Sequence, residues 1–270
     1  MLKSNAPIIV GLTTYDTDYL RLSLTGLAQI KQKFILIIHN DNPDVKVGKR
    51  DVRKWGYQGK VWIINTSHSV GKLGARLEIL KFIARRKFSA QWAMFINDTD
   101  ILTQIDIPDV TQNTFAIIQS CIVIKSGLID VLRAMKNPAL CVPDGENVVL
   151  VQPNMGLRGT PIRMTILQQL AGILGEHAGA ISDISEGLTG TMPTDEMMWA
   201  AVNIIAKHYN RSGTPIFMDG VNMISVTIDN PKLTKAAIAQ NERAVAKYSR
   251  VIQTALSIAD AAPCGQDVNE

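Results

Sequence analysis

The chain has 270 residues and a net charge of +4, with 46% hydrophobic and 19% charged residues. This composition is typical of an ordinary globular protein with a sizeable core, in one large domain or two small ones. No apolar stretch approaches the about 20 residues that span a bilayer, and the N-terminus lacks the apolar core of a secretory signal. Three cysteines without metal-ligand spacing favour a reduced, cytoplasmic setting.

The net charge hides an uneven distribution of basic residues. Residues 31–87 contain fourteen Lys and Arg against four Asp and Glu, an excess of ten, so the rest of the chain sums to minus six. A basic sector of this kind favours a polyanionic ligand, such as a nucleotide diphosphate, a lipid phosphate or nucleic acid. Solvated helix faces rich in lysine are a simpler explanation for part of this basic excess.

The first half of the chain alternates apolar segments with helical patterns. Short apolar runs predict strands at residues 7–12, 34–38, 61–64 and 92–96. Helices are predicted after a cap at Asp16 or Thr17, and over residues 73–84. Strands that are apolar throughout and separated by helices indicate a parallel sheet covered on both faces. Right-handed crossovers then place the four strand ends at one edge, where ligands bind.

The second half of the chain is less regular. Strands are predicted at residues 115–118 and 148–151, with a helix over 126–135 between them. Thr160-Pro161 predicts a helix start, residues 172–194 read as a loop, and Thr194 can cap a helix that ends near His208. Short strands near Ile216 and Ser225 precede a long terminal helix over residues 231–261. Domains are expected at 1–230, divided near residue 102 into nucleotide and acceptor parts, and at 231–270.

Asp98 and Asp100 stand at the end of the fourth predicted strand. Apolar surroundings penalise ionised carboxylates unless a cation neutralises them, and residues two apart on an extended strand point the same way. Both side chains could therefore reach one divalent ion and the phosphates that it carries. The alternative is a turn after a strand, since Asp and Thr are ordinary turn residues.

The segment from Ser69 to Arg76 predicts a phosphate-binding helix start. Gly71 permits close backbone approach, and free amides with the helix dipole favour an anion there. Lys72 and Arg76 lie in the same turn and could contact a diphosphate. A simple turn glycine and solvated helix charges are the alternatives.

Five segments in this order resemble the nucleotide-sugar glycosyltransferases of the GT-A fold, family 2 type, over about residues 7–201. They are I-I-V-G-L-T-T-Y-D, H-N-D-N-P, V-G-K-L-G-A-R, F-I-N-D-T-D-I and T-D-E-M-M-W. The resemblance implies an α/β, GT-A type (Rossmann-like), mostly parallel sheet flanked by helices, to which we add a helical C-terminal appendage. It departs from the family at Asn40-Asp41, where paired acids are usual.

The resemblance also implies roles for individual residues. The nucleotide sugar would contact the set Thr13, Thr14, Tyr15, Asn40, Asp41, Gly71, Lys72, Arg76 and Asp98. Mn²⁺ or Mg²⁺ held by Asp98 and Asp100 would neutralise the leaving diphosphate. Asp195 or Glu196 would be the general base, although acids in a first helical turn are also favoured by the dipole alone.

Two further segments are weaker candidates. His208 ends a predicted helix and could be a metal or phosphate ligand, but a histidine that caps the helix is the commoner case. Residues 154–159 follow a strand and could line the donor-sugar or acceptor pocket.

The sequence therefore predicts a metal-dependent glycosyltransferase. It would move a sugar from a nucleotide-diphosphate donor, expected to be a uridine one, to a hydroxyl of a glycan, a lipid-linked or another acceptor, with inversion. The alternatives are a nucleotidyltransferase that forms sugar nucleotides, a glycosyltransferase acting on nucleic acid, and a non-catalytic protein that binds nucleotide sugars. The T-T-Y-D loop argues against the nucleotidyltransferase, whose first loop is usually rich in Gly with basic residues.

Overall fold

The protein is described from a computed structural model. It covers residues 8–86, 88–105, 107–108, 110, 114–124, 148–153, 157–176, 192–209, 215–226 and 235–261. The helix predicted over 126–135 and most of the loop predicted over 172–194 lie outside these residues. None of the described helices is long and apolar enough to cross a membrane.

Nine strands and six helices are described. The strands are β1 (Ile8–Thr14), β2 (Phe34–Asn40), β3 (Val61–Asn65), β4 (Trp92–Asn97), β5 (Asp100–Leu102), β6 (Ile117–Ile124), β7 (Val148–Pro153), β8 (Ile162–Arg163) and β9 (Ile216–Val226). The helices are α1 (Thr17–Gln29), α2 (Lys49–Lys54), α3 (Gly71–Arg86), α4 (Met164–Glu176), α5 (Met192–His208) and α6 (Lys235–Ala261).

The first sheet has the order β3-β2-β1-β4-β8. Strands β1 to β4 are mutually parallel, and only β8 runs antiparallel, against the start of β4. This confirms the predicted α/β class with a mostly parallel sheet flanked by helices. The second sheet has the order β5-β9-β6-β7 and mixes parallel with antiparallel pairs.

The alternation of side chains along β1 divides the core between the two faces of the first sheet. Ile8, Val10 and Leu12 pack on the face that α1 covers. Ile9 packs on the opposite face, in the cluster that includes α3, α4, α5 and α6. All four side chains are at most 1% exposed, and burial of each contributes about 1.5–3 kcal/mol.

The terminal helix shares this second cluster. Tyr248, Ile252 and Leu256 of α6 are buried in the same core as Ile205 of α5. Helix α6 begins at Lys235, later than the predicted residue 231, and residues 227–234 lie outside the described part. The division at residue 230 stays a prediction, but this packing joins α6 to the main core.

Three details of the second half differ from the predictions. The helix expected at Thr160-Pro161 begins at Met164, because Ile162 and Arg163 first pair with Ala93 and Trp92 as strand β8. The pairing of the backbone with an open sheet edge overrides the local preference for a helix. Helix α4 then continues through Gly172 to Glu176, and one strand, β9, replaces the two short strands expected near Ile216 and Ser225.

Candidate functional site

The candidate site lies where β1 and β4 end, side by side. From β1 the chain turns into α1 on one face of the sheet, whereas α3 covers the other face. The crevice at such a switch between faces is where ligands bind in open α/β sheets. Thr13 pairs with Asn97 across the two strand ends, and the Asp98 amide donates to the Thr13 carbonyl at 3.0 Å.

Asp98 binds the loop that follows β1. One carboxylate oxygen, Oδ2, accepts from Thr14 Oγ1 at 2.9 Å, from the Tyr15 amide at 3.0 Å and from the Asp16 amide at 3.3 Å. Burial raises the pKa of Asp98, and these donors oppose the rise. The amides of this loop are therefore directed at a carboxylate of the protein itself.

Asp100 is fully buried and begins the second sheet. Its Oδ2 accepts from the Asn97 amide at 2.8 Å and lies 3.6 Å from Arg158 Nε, while its Oδ1 has no hydrogen-bond partner. The hydroxyl of Ser23, on α1, shares its one proton between the carbonyls of Asp98 at 2.6 Å and Asp100 at 2.5 Å. The turn that carries both carboxylates is thereby fixed to α1.

Two cations from one face of α3 meet a carboxylate of α5. Lys72 and Arg76 are four residues apart, so they project from the same side of the helix. Lys72 Nζ donates to Asp195 Oδ2 at 2.9 Å, and Arg76 donates to Asp195 Oδ1 and, at 3.3 Å, to Asn97 Oδ1. Arg76 is fully buried, whereas the side chains of Lys72 and Asp195 are 17% and 16% exposed.

The ion pairs decide the protonation of Asp195. Burial alone would raise its pKa, but the charges of Arg76, Lys72 and Arg158 outweigh burial and lower the pKa to about 2. Burial, together with the neighbouring charge of Arg76, lowers the pKa of Lys72. Asp195 is therefore a charged carboxylate across the physiological pH range.

Arg158 completes the cluster from the other side of β4. Its backbone forms a bridge with Phe95, and the next amide, of Gly159, donates to the Phe95 carbonyl at 2.7 Å. Gly159 has a φ of +72°, a conformation that favours glycine. Three carboxylates and three cations thus converge at the ends of β1 and β4. They are Asp98, Asp100, Asp195, Lys72, Arg76 and Arg158.

The start of α3 already holds an anion. Asp41 accepts from the Val70 amide at 2.8 Å, the Gly71 amide at 3.0 Å and Ser69 Oγ at 2.7 Å. This carboxylate takes the place in which a phosphate was expected. Gly71 adopts a φ of +70°, a backbone conformation that favours glycine over other residues.

The remaining predicted nucleotide ligands line the same edge. Asn40 is 1% exposed, and its amide donates to Asn65 Oδ1 at 3.0 Å, so it connects β2 to β3. Thr13 is nearly buried, and its hydroxyl donates to Asn97 Oδ1 at 3.3 Å. Tyr15, by contrast, is 56% exposed. Among these residues Tyr15 presents the most surface to an incoming ligand.

The structure does not bring His208 near Asp98 and Asp100, with which it was predicted to bind a metal. It lies thirteen residues beyond Asp195 on α5, about 20 Å along the helix axis. There its ring packs against Tyr209, with centroids 4.9 Å apart. Glu196, the other candidate base, is exposed on the first turn of the same helix.

Asp98 and Asp100 are the residues that could hold a divalent ion together with a phosphate. The described residues contain no cluster of three or more His, Cys, Asp and Glu side chains that could enclose a metal. Mg²⁺ commonly needs only one or two carboxylates, with phosphate oxygens and water completing its coordination. The buried Oδ1 of Asp100, which has no hydrogen-bond partner, is a suitable ligand atom.

Asn97 and Ser23 contribute to the site without a role predicted from the sequence. Asn97 stands within the F-I-N-D-T-D-I segment, next to Asp98, so its position could have indicated that it belongs to the site. Ser23 looks like any small helical residue, and nothing in the sequence indicates its contact with the Asp98–Asp100 turn. Arg158 belongs to the segment predicted to line a pocket, but its pairing with Asp100 appears only in three dimensions.

Comparisons with known proteins give low similarity. No protein-family model matches the sequence, and no curated protein sequence matches it. One similar structure is 4-diphosphocytidyl-2C-methyl-D-erythritol synthase from Anaerococcus prevotii, at 12% identity and a TM-score of 0.37, covering 88% of this chain and 96% of that one. Another is the glycosyltransferase GlyE of Streptococcus pneumoniae, at 9% identity and a TM-score of 0.40. The alignment covers 95% of this chain but 64% of GlyE. These values assign no activity to the chain.

Proposed function

We propose that the chain is a metal-dependent glycosyltransferase that uses a nucleotide-diphosphate sugar. The observation that carries this proposal is the cluster of three carboxylates and three cations at the ends of β1 and β4. A diphosphate bearing a sugar needs cations for its oxygens, and the acceptor hydroxyl needs a carboxylate to take its proton. This cluster supplies both kinds of group within one crevice.

Lys72 is the residue proposed to bind the donor diphosphate directly. It is partly exposed and paired with Asp195, so its flexible side chain can turn toward a phosphate. Arg76, fully buried behind it, stays with Asp195 and Asn97 and fixes their positions. A divalent ion at Asp98 and Asp100 would neutralise charge on the leaving diphosphate.

Asp195 is the proposed general base. When Lys72 turns to the diphosphate, Asp195 loses one of its paired cations, and its pKa rises toward a value useful for accepting a proton. The acceptor oxygen would then bond to the anomeric carbon as the bond to the diphosphate breaks, with the hydroxyl proton passing to Asp195. This direct displacement inverts the sugar carbon. Glu196 is the alternative base.

The geometry of the β1–α1 loop disfavours the nucleotidyltransferase alternative. Such an enzyme would use this loop to hold a nucleoside triphosphate, whereas here the amides of Tyr15 and Asp16 donate to Asp98. A mixture of nucleoside triphosphate and sugar 1-phosphate tests this alternative directly. Release of inorganic pyrophosphate would favour it over sugar transfer.

The proposed acceptor is a hydroxyl of a glycan, of a lipid-linked acceptor or of a nucleic acid. Helix α2 exposes four basic side chains, Lys49, Arg50, Arg53 and Lys54, which is a feature that a nucleic acid acceptor would use. Binding to duplex DNA or RNA at low salt, with a steep loss as salt rises, would identify that class.

The main test is a panel of nucleoside-diphosphate sugars with and without Mn²⁺. We expect thermal stabilisation by one donor, together with slow release of its nucleoside diphosphate. Asp100→Asn should abolish both effects, and Asp18→Asn, which alters a carboxylate that is 77% exposed on α1, should leave them unchanged. A panel in which no donor binds or turns over would contradict the proposal and would leave the non-catalytic alternative without support as well.

The base is tested separately. Asp195→Asn should lower kcat by about 10²–10⁴, whereas Glu196→Gln should have little effect. The reverse order of effects would assign the base to Glu196.

A further inference from the structure

The buried charge of Asp100 is not balanced by the hydrogen bonds that its carboxylate accepts. Its carboxylate is fully buried, yet it accepts one hydrogen bond, from the Asn97 amide, and its Oδ1 has no partner. An ionised carboxylate in such a place needs a nearby positive charge. In the free protein the neighbouring cation is Arg158, whose Nε lies 3.6 Å from Asp100 Oδ2.

Arg158 combines a fixed backbone with a partly exposed side chain. The bridge to Phe95 and the hydrogen bond from the Gly159 amide fix the backbone beside β4. The side chain is 28% exposed, and its distance to Asp100 exceeds that of a close charged hydrogen bond. A charge contact of this length, made by a partly exposed guanidinium, is one that a divalent ion can replace.

We propose that Arg158 is the resident counter-cation of Asp100 and competes with the divalent ion for this carboxylate. This inference rests on the metal site of the proposed function. A divalent ion bound to Asp100 would place its charge beside the guanidinium, and like charges at close range repel. Metal binding therefore displaces Arg158 from Asp100.

After its displacement from Asp100, the Arg158 guanidinium can bind the donor diphosphate. The charge of Arg158 already influences both Lys72 and Asp195 across the crevice. A planar guanidinium binds phosphate oxygens in pairs, which an ammonium cannot do. Once released from Asp100, Arg158 joins Lys72 as a ligand of the donor diphosphate. One residue then stabilises the free site and contributes to the loaded one.

The test measures Mn²⁺ binding and thermal unfolding of the full chain, without any donor. Arg158→Ala should melt at a lower temperature than the wild type in EDTA, because Asp100 loses its cation. Mn²⁺ should restore the melting temperature of the variant, and calorimetry should show Mn²⁺ bound about ten- to a hundredfold more tightly than by the wild type. Arg243→Ala, which removes an exposed charge on α6, is the matched control and should match the wild type.

A second pair of variants keeps the test valid if Arg158→Ala folds poorly. Asp100→Asn removes the buried charge, so Arg158→Ala/Asp100→Asn should melt higher than Arg158→Ala in EDTA and should bind no Mn²⁺. Mn²⁺ affinity that is unchanged or weaker in Arg158→Ala would overturn the inference, as would the absence of Mn²⁺ binding by both proteins. The proposed function fails by a different result, namely no turnover of any donor by the wild type.

Discussion

Replacement of Asp195 by Asn tests the electrostatics of the site quantitatively. Asn has nearly the shape of a protonated Asp, so the variant imitates the neutral form at every pH. In the wild type the charges of Arg76 and Lys72 overcome the effect of burial and lower the pKa of Asp195 from 3.8 to about 2. At about 1.4 kcal/mol for each pH unit, this difference corresponds to about 2 kcal/mol of the free energy of unfolding.

The sign of the pH dependence follows from the lowered pKa. Above about pH 4 the carboxylate is charged in both the folded and the unfolded chain, and the full stabilisation is present. As the pH falls from about 4 to about 2, the unfolded chain takes up the proton first, and the stabilisation is lost. The difference in the free energy of unfolding between the wild type and Asp195→Asn should therefore be about 2 kcal/mol at pH 7 and pH 5, and should shrink below pH 4.

Urea unfolding at a series of pH values, followed by tryptophan fluorescence and circular dichroism, measures this difference. Glu196→Gln, one residue away and exposed, is the control and should change the free energy of unfolding by less than about 0.5 kcal/mol. A difference for Asp195→Asn that is as small as that of the control would refute the reasoning. So would a large difference that does not vary with pH, because it would point to packing and not to charge.

Five further substitutions, at four positions, test the packing and electrostatics of the fold. Gly26→Ala places a Cβ 2.6 Å from Ile101 Cγ2 and should destabilise the protein by about 1–3 kcal/mol; Gly172→Ala, with nothing within 4 Å, should stabilise it by about 0.5–1 kcal/mol. Urea titration distinguishes the two, and equal effects would contradict the packing of α1 on β5. Asp41→Ala should lower the free energy of unfolding by about 0.5–2 kcal/mol through loss of its bonds to α3, whereas Asp41→Asn, which keeps an acceptor oxygen, should lose less; no loss in either would argue against the cap. Burial lowers the pKa of His39 below 6.5, so the unfolded chain is protonated first and stability should fall below about pH 6.5. That fall should be smaller in His39→Gln.

Local patterns were sufficient to predict the first four strands and their parallel arrangement. The apolar runs at β1, β2, β3 and β4 are continuous because both faces of the sheet are buried there. Their short length, together with the helices between them, leaves few other topologies. The convergence of Thr13 and Asp98 at one edge followed from that topology alone.

Contacts between distant segments were not available to such patterns. The start of α4 was misplaced because the pairing of β8 with β4 depends on where an open sheet edge lies. Asp98 and Asp100 were treated as neighbours on one extended strand, whereas the chain passes from the first sheet to the second between them. Asp98 therefore binds the β1–α1 loop, and Asp100 lies buried beside Arg158.

The sequence by itself determined the class of fold and the edge at which the polar residues gather, since both follow from the period and length of apolar segments. Only the tertiary structure decided which charges meet. Lys72 and Asp195 are 123 residues apart in the chain, and their ion pair depends on how α3 and α5 pack against the sheet. The electrostatic interaction depends on distance in space, and no local pattern of residues encodes that distance.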